Sequence, residues 1–279
     1  MPTNLACNVQ RVKKLLLLPA AALLLTSCTV MDVVGPRANG EIMALAKQAS
    51  ADWVFGDPAR EQWREMRQKQ SEELKGEALR LCGLDAQGQT PASCDVSYGD
   101  TDLPAEGNAS AVLEHTVAAA DKVPEESVDL IVAQAIDALT LSPVDLEPVT
   151  ETVSDAADTE AARDMLAREN AVYYGLGLAL AYADADLRER VGELREASHE
   201  RTAALTRVLD IADGESLVPA AGYEFAEGYS EPANTEEAAQ LVKTMQSDLV
   251  AQWRYAAAHA ESATWRGDAI RLAAHAQRV

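Results

Sequence analysis

Three side chains of the C-terminal half have the chemistry of metal ligands. Glu169 lies on one predicted helix, His199 ends the run Glu196-Ala197-Ser198-His199 on the next, and Asp248 lies on a third. Carboxylates and an imidazole that project inward from neighbouring helices can hold a pair of iron or manganese ions. The last predicted helix offers only Asp268 and His275, without the Glu-x-x-His spacing. A metal site of Glu169, His199 and Asp248 is therefore one interpretation of the sequence, with an incomplete ligand set.

The directions in which these side chains point from their helices do not favour the metal site. At about 100° per residue, Glu169 falls in the middle of an apolar stripe, which points this acid into the core. On the next helix, His199 lies about 115° from the centre of the apolar stripe and Glu196 lies nearly opposite. Ser198 and Arg201, in contrast, lie within about 45° of that stripe. The core-facing partners of Glu169 are therefore predicted to be polar and basic side chains.

A buried Glu169 needs a partner, because an unpaired charge in the core is strongly destabilising. We expect Arg201 to supply the opposite charge in place of a metal ion, beside Ser198. Gln252, inside the stripe of the third helix, is expected to add a hydrogen bond. Two alternatives stay open: Glu169 extends to water at the end of the bundle, or a rotated second helix brings His199 to a metal ion.

Residues 1–27 have the organisation of a secretory signal. Arg11, Lys13 and Lys14 precede an apolar run of 11 residues that ends at Leu25. At about 1.5 Å per residue this run is too short to cross a hydrocarbon core of about 30 Å, so we expect the segment to be cleaved. The sequence Leu25-Thr26-Ser27-Cys28 resembles the lipobox of bacterial lipoproteins, which implies a diacylglycerol on Cys28. The alternative is an ordinary signal peptide with a chance cysteine.

The chain is acidic, with a formal net charge of −21. Cleavage of the signal would remove three basic residues and no acid, so the charge would become −24. Such a surface repels phosphate backbones and anionic headgroups, so we expect no nucleic-acid partner. The lipid would then supply the attachment to the outer face of the bacterial plasma membrane.

Two cysteines remain once Cys7 leaves with the signal and Cys28 carries the lipid. Outside the membrane such a pair tends to oxidise. Closing a loop of about a dozen residues stabilises the fold by roughly 3 kcal/mol in the chain-entropy treatment. We therefore predict a disulfide between Cys82 and Cys94.

Helical spacing of apolar residues predicts four helices in the N-terminal half, and few segments alternate as strands do. The first begins at Gly40, carries Trp53 on its apolar face and stops at Gly56. The second runs to about Cys82. After a Gly- and Pro-rich stretch, residues 109–123 and 125–141 form the third and fourth.

The C-terminal half repeats this pattern of helices and connections. Helices are predicted at about residues 159–183 and 186–212, then, after a long connection, at 235–261 and 263–277. Thr235 is the expected N-cap of the third. One long crossover between the second and third helices is the connectivity of ferritin-like bundles.

These patterns predict an all-α protein of two four-helix bundles, the C-terminal one ferritin-like. The expected organisation is a signal at residues 1–27, a lipidated tether at 28–38, an N-terminal bundle at 39–141, a linker at 142–155 and a C-terminal bundle at 156–279. No nucleophile elbow, phosphate-binding glycine loop or zinc spacing is present in the sequence, so no catalytic residue is predicted.

Residues from about Arg163 to Val279 resemble a ferritin-like domain family of unknown function found in actinobacterial lipoproteins. The residues that carry the resemblance are Glu169 to Gly175, His199-Glu200-Arg201, Gly222-Tyr223, Asp248 and Trp253-Arg254. The resemblance implies a fold and an envelope location, and it implies no activity.

The first functional hypothesis is a lipid-anchored, non-enzymatic binding or accessory module without a cofactor, whose partner is another membrane-associated protein. The alternative is a ferritin-like metal-binding or metal-oxidase domain, degenerate or active, that takes iron or manganese. A third hypothesis is a small-molecule binder that uses the space between the two bundles.

Overall fold

The computed structural model describes residues 35–97, 102–209, 222–224 and 228–279 of the chain. In these ranges the regular structure consists of eight α-helices and one short 3-10 helix, without a strand, which confirms the all-α prediction. The helices are α1 (Gly40–Phe55), α2 (Glu61–Cys82), α3 (Ala109–Ala120), α4 (Glu125–Leu139), α5 (Ala156–Ala179), α6 (Ala185–Val208), α7 (Thr235–Ala258) and α8 (Ala263–Arg278).

Short polar side chains determine where most of these helices begin. Each accepts hydrogen bonds from free N–H groups of the first turn, which an α-helix cannot satisfy internally. The capping residues are Asn39, Asn108, Asp155, Asp184, Asn234 and Ser262. At α7 the predicted cap Thr235 is the first helical residue instead, because the Asn234 side chain accepts from the Glu237 N–H at 3.0 Å.

Several helix ends differ from the prediction by a few residues. Helix α3 ends at Ala120 and α4 at Leu139, each before the predicted end. Helix α5 begins at Ala156 because the Asp155 carboxylate accepts from the N–H groups of Ala157 and Asp158. The predicted end of α6, at residue 212, lies outside the described residues.

The main hydrophobic core takes residues from both halves of the sequence. Its buried members include Trp63 of α2, Ile136 of α4, Leu205 of α6, Trp253 of α7 and Leu272 of α8. Helix α4 packs against both α7 and α8, and residues Pro36–Val279 form one compact unit. Division of the chain into two separate bundles stays a prediction.

Each half also has an apolar cluster of its own beside the shared core. In the N-terminal half Ile42, Leu74 and Ile131 join α1, α2 and α4. In the C-terminal half Leu176 and Leu194 pack with Met245 between α5, α6 and α7. The apolar stripes predicted from spacing therefore pack within each half, while α4, α7 and α8 join the halves.

The predicted disulfide between Cys82 and Cys94 is confirmed. It links the last residue of α2 to the loop that follows, and Cys94 is buried. Cys28 and most of the predicted tether lie outside the described residues. Within the described ranges, none of the helices combines the length and the apolar character needed to cross a membrane.

Candidate functional site

Glu169 is completely buried at the centre of α5. Helical spacing brings Met165, Leu166 and Leu176 to the interior with it, so the backbone fixes an acid inside an apolar layer. A carboxylate in such surroundings has to be neutralised or fully hydrogen-bonded. Its partners come from α6 and α7.

Arg201 of α6 is the charge partner of Glu169. Its Nε donates to Oε1 at 2.6 Å and its Nη2 donates to Oε2 at 3.1 Å, a bidentate fork. Arg201 itself is 1% exposed. The structure therefore brings together the two side chains that the sequence paired.

Two further donors complete the hydrogen bonding of Glu169. The Ser198 hydroxyl donates to Oε2 at 2.7 Å, and the Trp253 indole N–H donates to Oε1 at 2.7 Å. Each carboxylate oxygen thus accepts two hydrogen bonds, and a carboxylate has about four lone-pair positions. All four lone-pair positions of Glu169 are therefore occupied by donors from the protein itself.

Trp253 takes the role that the sequence assigned to Gln252. The buried positions of α7 advance in steps of four residues, from Met245 through Leu249 to Trp253. Gln252 lies beside this row and lines a surface cleft instead. The four-residue spacing indicated that Trp253 is buried. It did not indicate a hydrogen bond to Glu169, because a buried tryptophan more often serves as an apolar core residue than as a donor to a buried acid.

His275 of α8 extends the buried network towards the surface. Its Nδ1 lies 3.3 Å from Arg201 Nη1, and its Nε2 lies 2.9 Å from Oε2 of Glu200. The Glu200 side chain is 53% exposed. A chain of polar contacts therefore runs from solvent to Glu169, and the sequence indicated His275 only as an isolated residue.

The contacts of His275 define its protonation. A guanidinium can only donate, so Nδ1 must be the acceptor and the proton is on Nε2, which donates to Glu200. Burial, followed by the charge of Arg201, lowers the pKa of His275 below its ordinary value, although Glu200 acts in the opposite direction. His275 is therefore neutral at pH 7.

The side chains of the metal interpretation are not gathered at one place. Glu169 is buried, whereas His199 and Asp248 are both exposed, as is Glu196. Asp248 accepts a hydrogen bond from the Tyr229 hydroxyl, and His199 lines a separate surface groove. Across the described ranges, no group of three or more His, Cys, Asp or Glu side chains has a geometry that could hold a metal ion.

A second buried ion pair lies in the N-terminal half. Arg67 Nε donates to the Asp52 carboxylate at 2.8 Å, and the two side chains are 5% and 1% exposed. The Asp52 carboxylate also accepts from the backbone N–H of Glu106 at 2.9 Å. The sequence missed this pair, and Trp53, which spacing placed on the apolar face, is 36% exposed at the end of α1.

A cleft of about 210 Å³ opens at the surface between α5 and α7. Its apolar part is formed by residues of both helices, which are Ala171, Val172, Gly175, Met245 and Leu249. Its polar members include Arg168, Glu224, Asp248 and Gln252. Tyr174, Tyr223 and Tyr229 contribute three aromatic rings. The cleft is therefore an apolar cavity with a charged, tyrosine-lined opening.

The tyrosines of the cleft are held in position by specific contacts. The Tyr174 and Tyr223 rings lie 5.5 Å apart between centroids, at a tilt of 51°. The Tyr229 hydroxyl donates to Asp248. Burial, together with this carboxylate, raises the pKa of Tyr229 to about 12. Tyr229 therefore stays protonated at physiological pH, and its hydroxyl donates a hydrogen bond to the Asp248 carboxylate.

The C-terminal part of the chain is similar to a known sequence family. Residues 161–279 match a domain of unknown function, DUF4439. The Glu169 network and the cleft both lie within this DUF4439 stretch, whereas the Asp52–Arg67 pair lies outside it. No match was found among curated proteins or among solved structures.

Proposed function

We propose that this chain is a lipid-anchored protein of the bacterial cell envelope that acts as a non-enzymatic binding or accessory module for another membrane-associated protein. The sequence of the first 28 residues supports the location. The buried network supports the non-enzymatic role, because its central acid is already fully hydrogen-bonded. The acidic surface favours protein partners over nucleic acid.

The observation that carries the non-enzymatic role is the bidentate contact between Arg201 and Glu169. In di-metal four-helix bundles, inward-pointing carboxylates bind metal at the place where the helices face one another. Here a guanidinium lies 2.6 Å from the inward-pointing carboxylate and neutralises it without a metal ion. This supports a bundle whose buried polar residues position its helices rather than perform redox chemistry.

The helix order supports a ferritin-like arrangement for the C-terminal part. Short turns join α5 to α6 and α7 to α8, while residues 209–234 connect α6 to α7. One long connection between the second and third helices is the ferritin-like pattern. We infer that residues 156–279 are a ferritin-like bundle in which an ion pair replaces the metal centre.

Membrane attachment is tested by replacing the proposed lipid site. The Cys28→Ser protein should lose the mass of a diacylglycerol and move from the membrane fraction to the soluble fraction. Cys7→Ser is the matched control, because Cys7 would leave with the signal, and its product should stay on the membrane. Membrane retention of the Cys28→Ser protein without lipid would contradict the proposal.

Partner binding is tested by crosslinking in intact membranes, followed by affinity capture and mass spectrometry. A membrane-associated protein should be recovered with the wild-type chain and lost with Cys28→Ser. Recovery of the chain alone at every crosslinker length would contradict the accessory role.

A further inference from the structure

We propose that the cleft between α5 and α7 binds a small organic cation, an ammonium group carried on one aromatic or branched apolar body. The proposal goes beyond the binding of a membrane protein and concerns a different surface from the buried network. It rests on the size of the cleft, on its apolar interior and on the charges and rings at its opening.

The cleft has the size of one small ring with a short substituent. An engineered apolar cavity of about 150 Å³ holds benzene, and this cleft measures about 210 Å³. Val172, Met245 and Leu249 line its interior, and the methionine thioether adapts its shape to an aromatic ring. A single ring with a two-carbon arm therefore fits, whereas a nucleotide or a polysaccharide is too large and too polar.

The opening favours a positive charge on the ligand. Asp248 and Glu224 place two carboxylates there against one guanidinium, that of Arg168. Tyr174 and Tyr223 also line the cleft, and tyrosine rings attract cations through their quadrupoles. The whole chain, at a formal charge of −21, raises the local concentration of cations further. The same negative charges would repel an anionic ligand.

A bare metal ion fits the cleft less well than an organic cation. Divalent cations need several oxygen or nitrogen ligands at one point, and among the described residues only Asp248 and Glu224 bring carboxylates to this cleft. One Asp248 oxygen already accepts from Tyr229. An ammonium ion needs only one carboxylate and an aromatic ring, and the lining of the cleft includes both.

The test compares three probes of similar size and different charge on the full-length protein. Phenethylamine is the cation, phenethyl alcohol the neutral analogue and phenylacetate the anion. Isothermal titration at pH 7 and low salt should show the amine binding roughly tenfold more tightly than the alcohol, with no binding of the acid. Tyr229 stays protonated at both pH 7 and pH 8, and its hydroxyl continues to donate to Asp248. The preference for the amine over the alcohol should therefore be the same at the two pH values.

Variants locate the charge preference in the cleft. Asp248→Asn should reduce amine binding roughly tenfold and leave the alcohol unchanged. Asp164→Asn is the matched control, since Asp164 is an exposed aspartate of α5 that does not line the cleft. Ala171→Phe fills the apolar interior and should abolish binding of both probes. Circular dichroism confirms that each variant is folded.

The opposing results are equally specific. Equal affinity for amine, alcohol and acid would overturn the cation proposal, as would an Asp248→Asn effect no larger than that of Asp164→Asn. Tighter binding of N-acetyl-arginine amide than of phenethylamine would overturn the proposal that the ligand is a small free amine. It would indicate instead that the cleft receives a basic side chain of a partner protein. None of these results changes the membrane fractionation of Cys28→Ser, so the two proposals fail separately.

Discussion

At the scale of single residues, the Glu169–Arg201 pair shows how a buried charge is retained in a small helical core. Both side chains are at most 1% exposed. Removing two charges from water costs several kcal/mol, and close contact offsets that cost only when the remaining donors and acceptors are also paired. Ser198 and Trp253 supply the missing donors. The network therefore depends on all of its members.

Replacement of the acid alone should be strongly destabilising. Glu169→Gln leaves the Arg201 guanidinium buried without an opposite charge, so the free energy of unfolding should fall by about 3–5 kcal/mol. Urea denaturation followed by circular dichroism measures the change. Glu196→Gln, at an exposed site of α6, is the control and should change it by less than about 0.5 kcal/mol.

A double variant separates the charge from the packing. Glu169→Leu with Arg201→Met removes both charges and should recover much of the loss, because an apolar pair carries no desolvation penalty. A Glu169→Gln cost below about 1 kcal/mol would contradict the role of the pair. Stoichiometric iron or manganese in protein purified without chelator would also contradict it.

His275 should make stability depend on pH. Its pKa in the folded chain is lowered from 6.5, so the unfolded chain binds more protons between the lowered value and 6.5. The free energy of unfolding should therefore decrease as the pH falls through about 6.5, and the loss should be complete below the lowered pKa. Urea denaturation between pH 8 and pH 5 measures this slope.

The control for His275 must account for Asp268. Burial raises the pKa of Asp268 from 3.8 to about 6, so its contribution is largest below pH 3.8 and is lost as the pH rises through about 6. The slope is therefore measured in an Asp268→Asn background. In that background, His275→Gln should remove the dependence of the free energy of unfolding on pH. His199→Gln, at an exposed site, should leave this dependence unchanged. An unchanged slope in His275→Gln would show that His275 is not the titrating group.

At the scale of elements, the disulfide attaches the end of α2 to the loop that leads towards α3. Cys94 is buried, and the Ser93 hydroxyl donates to the Pro36 carbonyl at 2.9 Å, so this loop also contacts the chain before α1. Constraining a loop in which the cysteines are 12 residues apart mainly reduces the entropy of the unfolded chain. The disulfide thus stabilises the N-terminal half mainly by raising the free energy of the unfolded chain.

Removal of this disulfide should be costly but tolerated. Replacing Cys82 and Cys94 together with serine should lower the free energy of unfolding by roughly 3 kcal/mol. Urea denaturation of the oxidised wild type and the double variant measures the difference. Reduced wild type is the control and should match the double variant within about 1 kcal/mol. Equal stability of oxidised and reduced protein would contradict the prediction.

At the scale of the whole molecule, the two halves are joined by polar contacts as well as by the shared core. Arg278 of α8 donates to the Thr140 carbonyl at 2.7 Å, and Gln277 donates to Asp137 at 2.9 Å. Arg266 pairs with Asp121 at 3.0 Å. Helix α8 therefore contacts the N-terminal half through side chains along its length, and separating the halves would expose part of the shared core.

The shared core predicts a single unfolding transition for the whole chain. Separate bundles would melt independently, whereas halves that share a core lose it together. Scanning calorimetry should give one peak whose calorimetric and van't Hoff enthalpies agree, and Ile136→Ala in α4 should shift that entire peak to lower temperature. Two peaks, only one of them shifted by Ile136→Ala, would instead support two independent bundles.

The sequence by itself determined the local features of this protein. Apolar spacing at 3.6 residues per turn predicted the eight helices of the described ranges to within a few residues, because the buried side of a helix depends on neighbours along the chain. The same spacing placed Glu169, Ser198 and Arg201 on core-facing stripes. Cys82 and Cys94 could be paired without knowledge of the fold, because they are the two cysteines that remain once the predicted signal and the predicted lipid site are set aside.

Only the tertiary structure decided which helices share a core and which side chains meet across it. Trp253 rather than Gln252 reaches Glu169, His275 connects Arg201 to Glu200, and Asp52 pairs with Arg67. Each contact depends on the rotation and crossing of two packed helices, and a small rotation exchanges adjacent side chains at an interface. Periodicity gives the buried face of one helix, but it does not give the partner that this face meets.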